Sequence, residues 1–204
     1  MIDREELTER LEWAQIPKRY RECRFENFDG YTQKLARNVT ILRQLSAERR
    51  GVVIFGPVGC GKTHLAVASL VSFILAGARC AFTGAADFVH RVQGAFGNAK
   101  EITSEVVGDH QVLLLDDIGS ERATETARAS LLYLVDQLYC AKKRIIVTSN
   151  LTAKDLYSFE PRLASRLGEM SAFVELDGED YRLRNAAQRQ KADRCKVMPT
   201  KTVN

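Results

Sequence analysis

Apolar positions recur along the chain in two rhythms. From Gly51 onward, short apolar bursts alternate with longer segments in which hydrophobic residues return every three or four positions. The bursts predict strands at 51–55, 80–83, 112–116, 144–149 and 172–176, and the longer segments predict helices at 62–76, 85–96, 124–142 and 181–192. Strands that stay apolar throughout are covered on both faces. Strand–helix alternation of this kind specifies an α/β fold, a parallel five-stranded sheet between helices. The polar interval 97–111 is expected to hold a short extra helix. Ahead of the sheet, Leu7, Leu11 and Ala14 fall at helical spacing, so residues 1–14 predict a short amphipathic helix. Pro17 ends it. Residues 16–32 mix aromatics and arginines without a period and predict an extended strap, anchored on the core by Phe25 and Phe28. Residues 33–49 predict a helix leading to the first strand.

Composition narrows the class. Hydrophobic residues make up 45% and charged residues 27% of the 204 positions, as in ordinary globular domains. No apolar run approaches the ~18 residues that a membrane span needs. Met1 to Glu6 lacks the apolar stretch of a secretory signal. The cysteines at 23, 60, 80, 140 and 195 form no CxxC pair, which argues against a zinc site or a disulfide framework and suits a reducing cytoplasm. The net charge of +4 is uneven. From Arg182 to the end, seven basic residues stand against one acid, Asp193, so the tail either attracts phosphates and acidic partners or is a solvated terminus.

The chemistry begins at Gly56-Pro57-Val58-Gly59-Cys60-Gly61-Lys62-Thr63-His64. The pattern G-x4-G-K-[ST], after a strand and before a helix, is a phosphate-binding loop. Its glycines let backbone N–H groups turn inward around a β-phosphate. The following helix aims its positive end at the anion. Lys62 reaches the β- and γ-phosphates, and the Thr63 hydroxyl is a ligand for Mg²⁺. Cys60 contributes its backbone, and His64 packs near the nucleotide at the start of the helix.

About 50 residues on, Val112 to Leu115 end in two acids, Asp116 and Asp117. A buried parallel strand delivers such residues at its C-terminal edge, beside the phosphate loop. Asp116 is placed to hold Mg²⁺ and Asp117 to orient or deprotonate the attacking water. Many ATPases of this kind carry Glu at the second position. The shorter Asp117 sits about one methylene further from the water, and errors of about 1 Å cost about 100-fold in rate. Slow hydrolysis is therefore expected. Glu121, in the loop beyond, is a further acid that could assist.

Asn150 ends the next strand, Arg144 to Ser149. It is either a polar amide facing the γ-phosphate or a turn or capping residue before Leu151-Thr152. Arg162 and Arg166 are four apart and share a helix face. They form either a solvated basic face or a source of an arginine offered to a neighbouring subunit's γ-phosphate.

Taken together, "GPVGCGKTH", "LLLDDIGSE", "IIVTSN" and "RLASRL" resemble, in order and spacing, the AAA+ helicase loaders of the DnaC and DnaI type and their relative IstB, a transposition ATPase. "IPKRYRECRFENF" is similar to that family's lead-in strap and "VELDGEDYRLR" to its closing strand and helix, so the likeness covers roughly residues 14 to 190. It implies a P-loop NTPase of AAA+ type without a separate C-terminal lid domain. The core would span 51–192, with helix and strap at 1–50 and a basic tail at 193–204. By position it implies Asn150 as sensor I, Arg166 as the arginine finger and Arg182 as a sensor II candidate. Residues 85–110, with His90, Arg91 and Lys100, would be the clade's helical insertion near single-stranded DNA. Family members carry a separate N-terminal partner-binding domain. With 55 residues ahead of Gly56, docking would fall to the helix at 1–14 or to another chain.

The cofactors so implied are ATP and Mg²⁺. The partners are single-stranded DNA, a replicative helicase or a transposase, and further copies of the chain. Helicase loading is the leading expectation, and an IstB-like accessory role in transposition is its alternative. A small-molecule P-loop kinase would leave Asn150 and Arg166 without a role.

Overall fold

The computed structural model describes residues 2–95, 98–120, 124–181, 183 and 184. Strands β1 (Gly51–Phe55), β2 (Cys80–Gly84), β3 (Val112–Ile118), β4 (Arg144–Ser149) and β5 (Ser171–Glu175) form one sheet in the order β2-β3-β4-β1-β5. Every pairing is parallel. The period of two sorts the apolar bursts onto two faces. Val52, Ile54, Val112, Leu114 and Ile146 enter one buried cluster, and Val53, Leu113, Leu115, Ile145 and Val147 enter the other. Each fully buried Leu, Ile or Val contributes about 1.5–3 kcal/mol by leaving water.

The first face is covered by α1 (Arg4–Trp13), α2 (Gln33–Ala47) and α3 (Lys62–Leu75), through residues such as Leu11, Leu42 and Leu70. The second is covered by α4 (Ala85–Gly94), α5 (Ala99–Val107), α6 (Glu125–Cys140), α7 (Ala153–Phe159) and α8 (Pro161–Met170). The extra helix expected in 97–111 is α5. Helix α7 is not among the helices that the apolar periodicity predicts. Its start is a capping box, with the Thr152 hydroxyl accepting from the Asp155 N–H and the Asp155 carboxylate accepting from the Thr152 N–H. The cap is therefore Thr152, and Asn150 is free of that duty.

The strap differs from the extended segment expected. Pro17 opens a 3-10 turn at Lys18–Tyr20, with the Tyr20 N–H bonded to the Pro17 carbonyl at 2.8 Å. A second turn closes where the Asn27 side chain accepts from the Arg24 N–H at 2.8 Å. The fixed φ of proline, −55° here, suits the first turn. Phe25 is buried, and Phe28 packs partly buried against the first cluster. Beyond β5, residues 181, 183 and 184 are helical. The remainder of the expected 181–192 helix, with Arg182, the 193–204 tail and Glu121, lies outside the described residues.

Candidate nucleotide-binding site

Strand order assembles the site. Because β4 lies between β1 and β3, the polar end of β4 comes between the loop that follows β1 and the acids that end β3. A cavity of about 450 Å³ opens there, lined by the loop from Val58 to His64, by Asp116, Asp117 and Asn150, and by strap residues from Arg19 to Tyr31. Arg166 is not among its lining residues.

The loop needs its glycines. Gly56 has φ +146°, and a Cβ there would collide with the Leu176 carbonyl. Gly61 has φ +96°, and a Cβ there would meet the Phe28 ring. L-residues rarely adopt such φ values. Gly61 precedes α3 and gives it no side-chain cap, so the first N–H groups of that helix are left for an anion. Lys62 is buried, and its ammonium donates to the carbonyls of Gly56 (2.9 Å) and Pro57 (2.7 Å) and to Asn150 Oδ1 (2.7 Å). Asn150 then donates from Nδ2 to Asp117 Oδ1 at 2.7 Å. One amide thus links the loop lysine to the second acid.

The acids sit on a bulge. From Leu115 to Ile118 β3 takes three steps while β4 takes two, from Val147 to Ser149. Asp117 absorbs the extra residue with φ +64°, a left-handed conformation that Asp tolerates better than most side chains. Thr148, buried in β4, holds both acids. Its hydroxyl donates to Asp116 Oδ1 at 2.7 Å and accepts the Asp117 N–H at 2.8 Å. Thr63 donates to the same Asp116 oxygen at 3.0 Å.

A hydroxyl and a carboxylate this close are hard oxygen donors, and Mg²⁺ is usually held by one or two such groups plus substrate phosphates. Thr63 and Asp116 therefore fit the ion that the motif implies.

Burial pushes the Asp116 carboxyl above its usual range, and the Thr148 and Thr63 hydroxyls oppose the rise. A carboxyl with a raised folded pKa adds stability at low pH and loses it as pH rises through that value. Asp116→Asn should therefore raise the unfolding temperature at neutral pH in magnesium-free buffer. The gain should vanish below the ordinary carboxylate range, which thermal unfolding at the two pH values checks.

Cys60 is buried, and burial raises its pKa, so it stays a thiol and offers its backbone. Burial likewise pushes Cys23, across the cavity, up to about 11. His64 Nε2 lies 2.9 Å from the Arg24 carbonyl, which can only accept, so Nε2 carries a proton. Its ring meets Phe28 edge-on at 5.4 Å.

Arg166 is engaged elsewhere. It bonds Asp136 at 3.0 Å, lies 3.9 Å from Glu169 and stacks 4.5 Å from the Tyr139 ring, tying α8 to α6. In the α4–α5 region, Arg91 pairs with Glu105 at 2.7 Å, while His90 and Lys100 are exposed.

Sequence reasoning missed the strap's part in the cavity and the role of Thr148. The signal for Thr148 was a hydroxyl inside an apolar strand, which needs a partner when buried. The strap left no periodic signal.

Loop, acid strand and interposed polar strand, on this sheet order, define a P-loop NTPase of AAA+ type. The chain matches the model of the IstB-like ATP binding proteins over residues 2–189 and belongs to that family. A Mycobacterium tuberculosis relative named "putative ATP-binding protein in insertion sequence" is 28% identical over 201 residues, 89% of this chain and 79% of that one. Among solved structures, the DnaC helicase loader superposes with a TM-score of 0.69 at 26% identity, over 79% of this chain and all of that one. DnaI (TM-score 0.68, 16% identity, 79% of this chain and 95% of that one) shares the fold. So does a replication initiator DnaA bound to AMPPCP and single-stranded DNA (TM-score 0.65, 24% identity, 92% and 58%). The chain spans less than half the length of curated DnaA initiators that it matches, 31% for that of Clavibacter sepedonicus and 44% for that of Thermoanaerobacter sp. strain X514.

Proposed function

We propose that this chain binds Mg-ATP in the cavity, hydrolyses it slowly, and uses the bound triphosphate to assemble with its own copies on single-stranded DNA and help place a replicative helicase. The core at 51–192 carries the nucleotide, with the helix and strap at 1–50 and the basic tail at 193–204 as appendages. The observation that carries the reading is the hydrogen-bonded line from Lys62 through Asn150 to Asp117. It joins the group that meets the phosphates to the group that would orient water, through a residue that would sense the γ-phosphate.

Thr63 and Asp116 would hold the metal, which when bound neutralises charge on the β- and γ-oxygens. Asp117, one methylene shorter than the usual glutamate, supports slow turnover. Arg166 would leave Asp136 to meet a neighbouring subunit's γ-phosphate, and Arg182 would contribute from the same chain. The likeness to the DnaC helicase loader supports the partner class.

Sedimentation of the full chain with single-stranded oligonucleotide tests this. With AMPPCP and Mg²⁺ a DNA-bound oligomer should form, and with ADP it should not. A chain that stays monomeric with triphosphate and DNA contradicts the proposal.

A second reading is favoured by the family match and by the insertion-sequence relative: an accessory ATPase that directs a transposase. Capture from the native cell with ATP present separates the two, a helicase supporting the first and a transposase the second.

A further inference from the structure

The strap carries four basic side chains within seven residues, Lys18, Arg19, Arg21 and Arg24, and they are used differently. Arg21 donates to the Ile16 carbonyl at 3.0 Å and pairs with Glu12 at 2.5 Å. Arg24 donates to the carbonyls of Arg21 and Cys23 at 2.7 and 2.8 Å. Arg24 fastens the strap to itself, and Arg21 fastens it to itself and to α1. Lys18 is exposed and does not line the cavity. Arg19 is exposed too but does line it, together with Thr63, Asp116 and Asp117. Among the described residues its side chain has no hydrogen bond or ion pair, and its contact is with the Tyr20 ring, 4.4 Å from the centroid.

Arg19 is held in place by its neighbours. The Phe82 N–H donates to the Ala14 carbonyl at 2.8 Å, which pins the strap's start to the free edge of β2. Ile16 is buried, and the Tyr20 ring packs 6.5 Å from Phe82. Gly84, at the end of β2, pairs with Asp116 on β3. The strap therefore brings Arg19 in from the β2 side, with β3 and β4 between it and the loop that carries Lys62.

A guanidinium stacked on an aromatic ring keeps its N–H fork free and oriented, and that fork matches phosphate oxygens. An exposed guanidinium that has no acid partner among the described residues and lines a phosphate cavity beside Thr63, Asp116 and Asp117 is free to donate to a terminal phosphate there. We propose that Arg19 binds the terminal phosphate of the nucleoside triphosphate held by its own chain, so that the strap distinguishes triphosphate from diphosphate. This inference rests on the nucleotide reading above and is separate from Arg166, which acts toward a neighbour.

The test is titration of the full chain with AMPPCP and with ADP, both with Mg²⁺, for wild type, Arg19→Ala and Arg19→Lys. For Arg19→Ala, AMPPCP affinity should fall about tenfold to a hundredfold while ADP affinity and unfolding temperature stay unchanged. Arg19→Lys should recover part of the loss. An equal loss for both nucleotides would assign Arg19 to holding the strap and overturn the proposal, as would an unchanged AMPPCP affinity. A wild-type chain that binds neither nucleotide would overturn the nucleotide reading, and this inference with it.

Discussion

Lys62→Ala is expected to abolish ATP binding. The ammonium is buried and donates to two loop carbonyls and to Asn150. A buried charge is tolerated when such acceptors replace its water. Those acceptors also locate it among the loop's N–H groups, where the β- and γ-phosphates would lie. Its removal takes away charge-assisted bonds worth about 1.5–3 kcal/mol each, so loss of two lowers affinity by about a hundredfold or more. It also frees Asn150 from the loop, leaving the amide bonded to Asp117 alone of the two. Lys62→Met, which keeps the apolar length, separates loss of charge from loss of packing and should bind as poorly as Lys62→Ala. Affinity retained by both variants in a fluorescent-nucleotide titration would sink the assignment.

Arg166→Ala is expected to bind ATP normally and to lose the hydrolysis stimulated by assembly or DNA. Arginines offered across an interface accelerate phosphoryl transfer by about a thousandfold or more. The structure shows one duty for this residue, and the proposal adds a second. Its bond to Asp136 and its stack on Tyr139 make it a fastener between α6 and α8. It is also partly exposed and lies outside its own chain's cavity lining, so the phosphate it would serve belongs to a neighbour. Exposed ion pairs add little to stability. A fastener alone would leave stimulated turnover close to wild type once folding is checked. Stimulated ATPase against basal ATPase, with and without single-stranded DNA, separates the two duties.

Much of this was legible before the fold was seen, for specific reasons. Strands β1, β3 and β4 are apolar runs ended by the candidate site residues themselves, so element and proposed chemistry announced each other. Gly56 to Thr63 carries its mechanism in its spacing. What stayed hidden depends on contacts distant in sequence or on backbone detail. The strap reaches the cavity because Ala14 bonds to β2 and Phe28 packs on Gly61, and no local pattern encodes either contact. The bulge that turns Asp117 toward Asn150 shows only in the β3–β4 register. Thr148 looked like any strand threonine, yet it holds both acids. Helix α7 is short, and its Thr152–Asp155 box was its clearest local mark.

The central claim is that one subunit registers ATP and its neighbour completes the catalytic set. Mixing Arg166→Ala with Lys62→Ala chains in the presence of ATP, Mg²⁺ and single-stranded DNA tests it most directly. The first variant keeps an intact phosphate loop and the second keeps an intact Arg166, so a mixed interface holds one complete site. Stimulated ATPase should be partly restored, with a maximum at intermediate ratios. No rescue at any ratio, from two variants that both fold, would contradict the account.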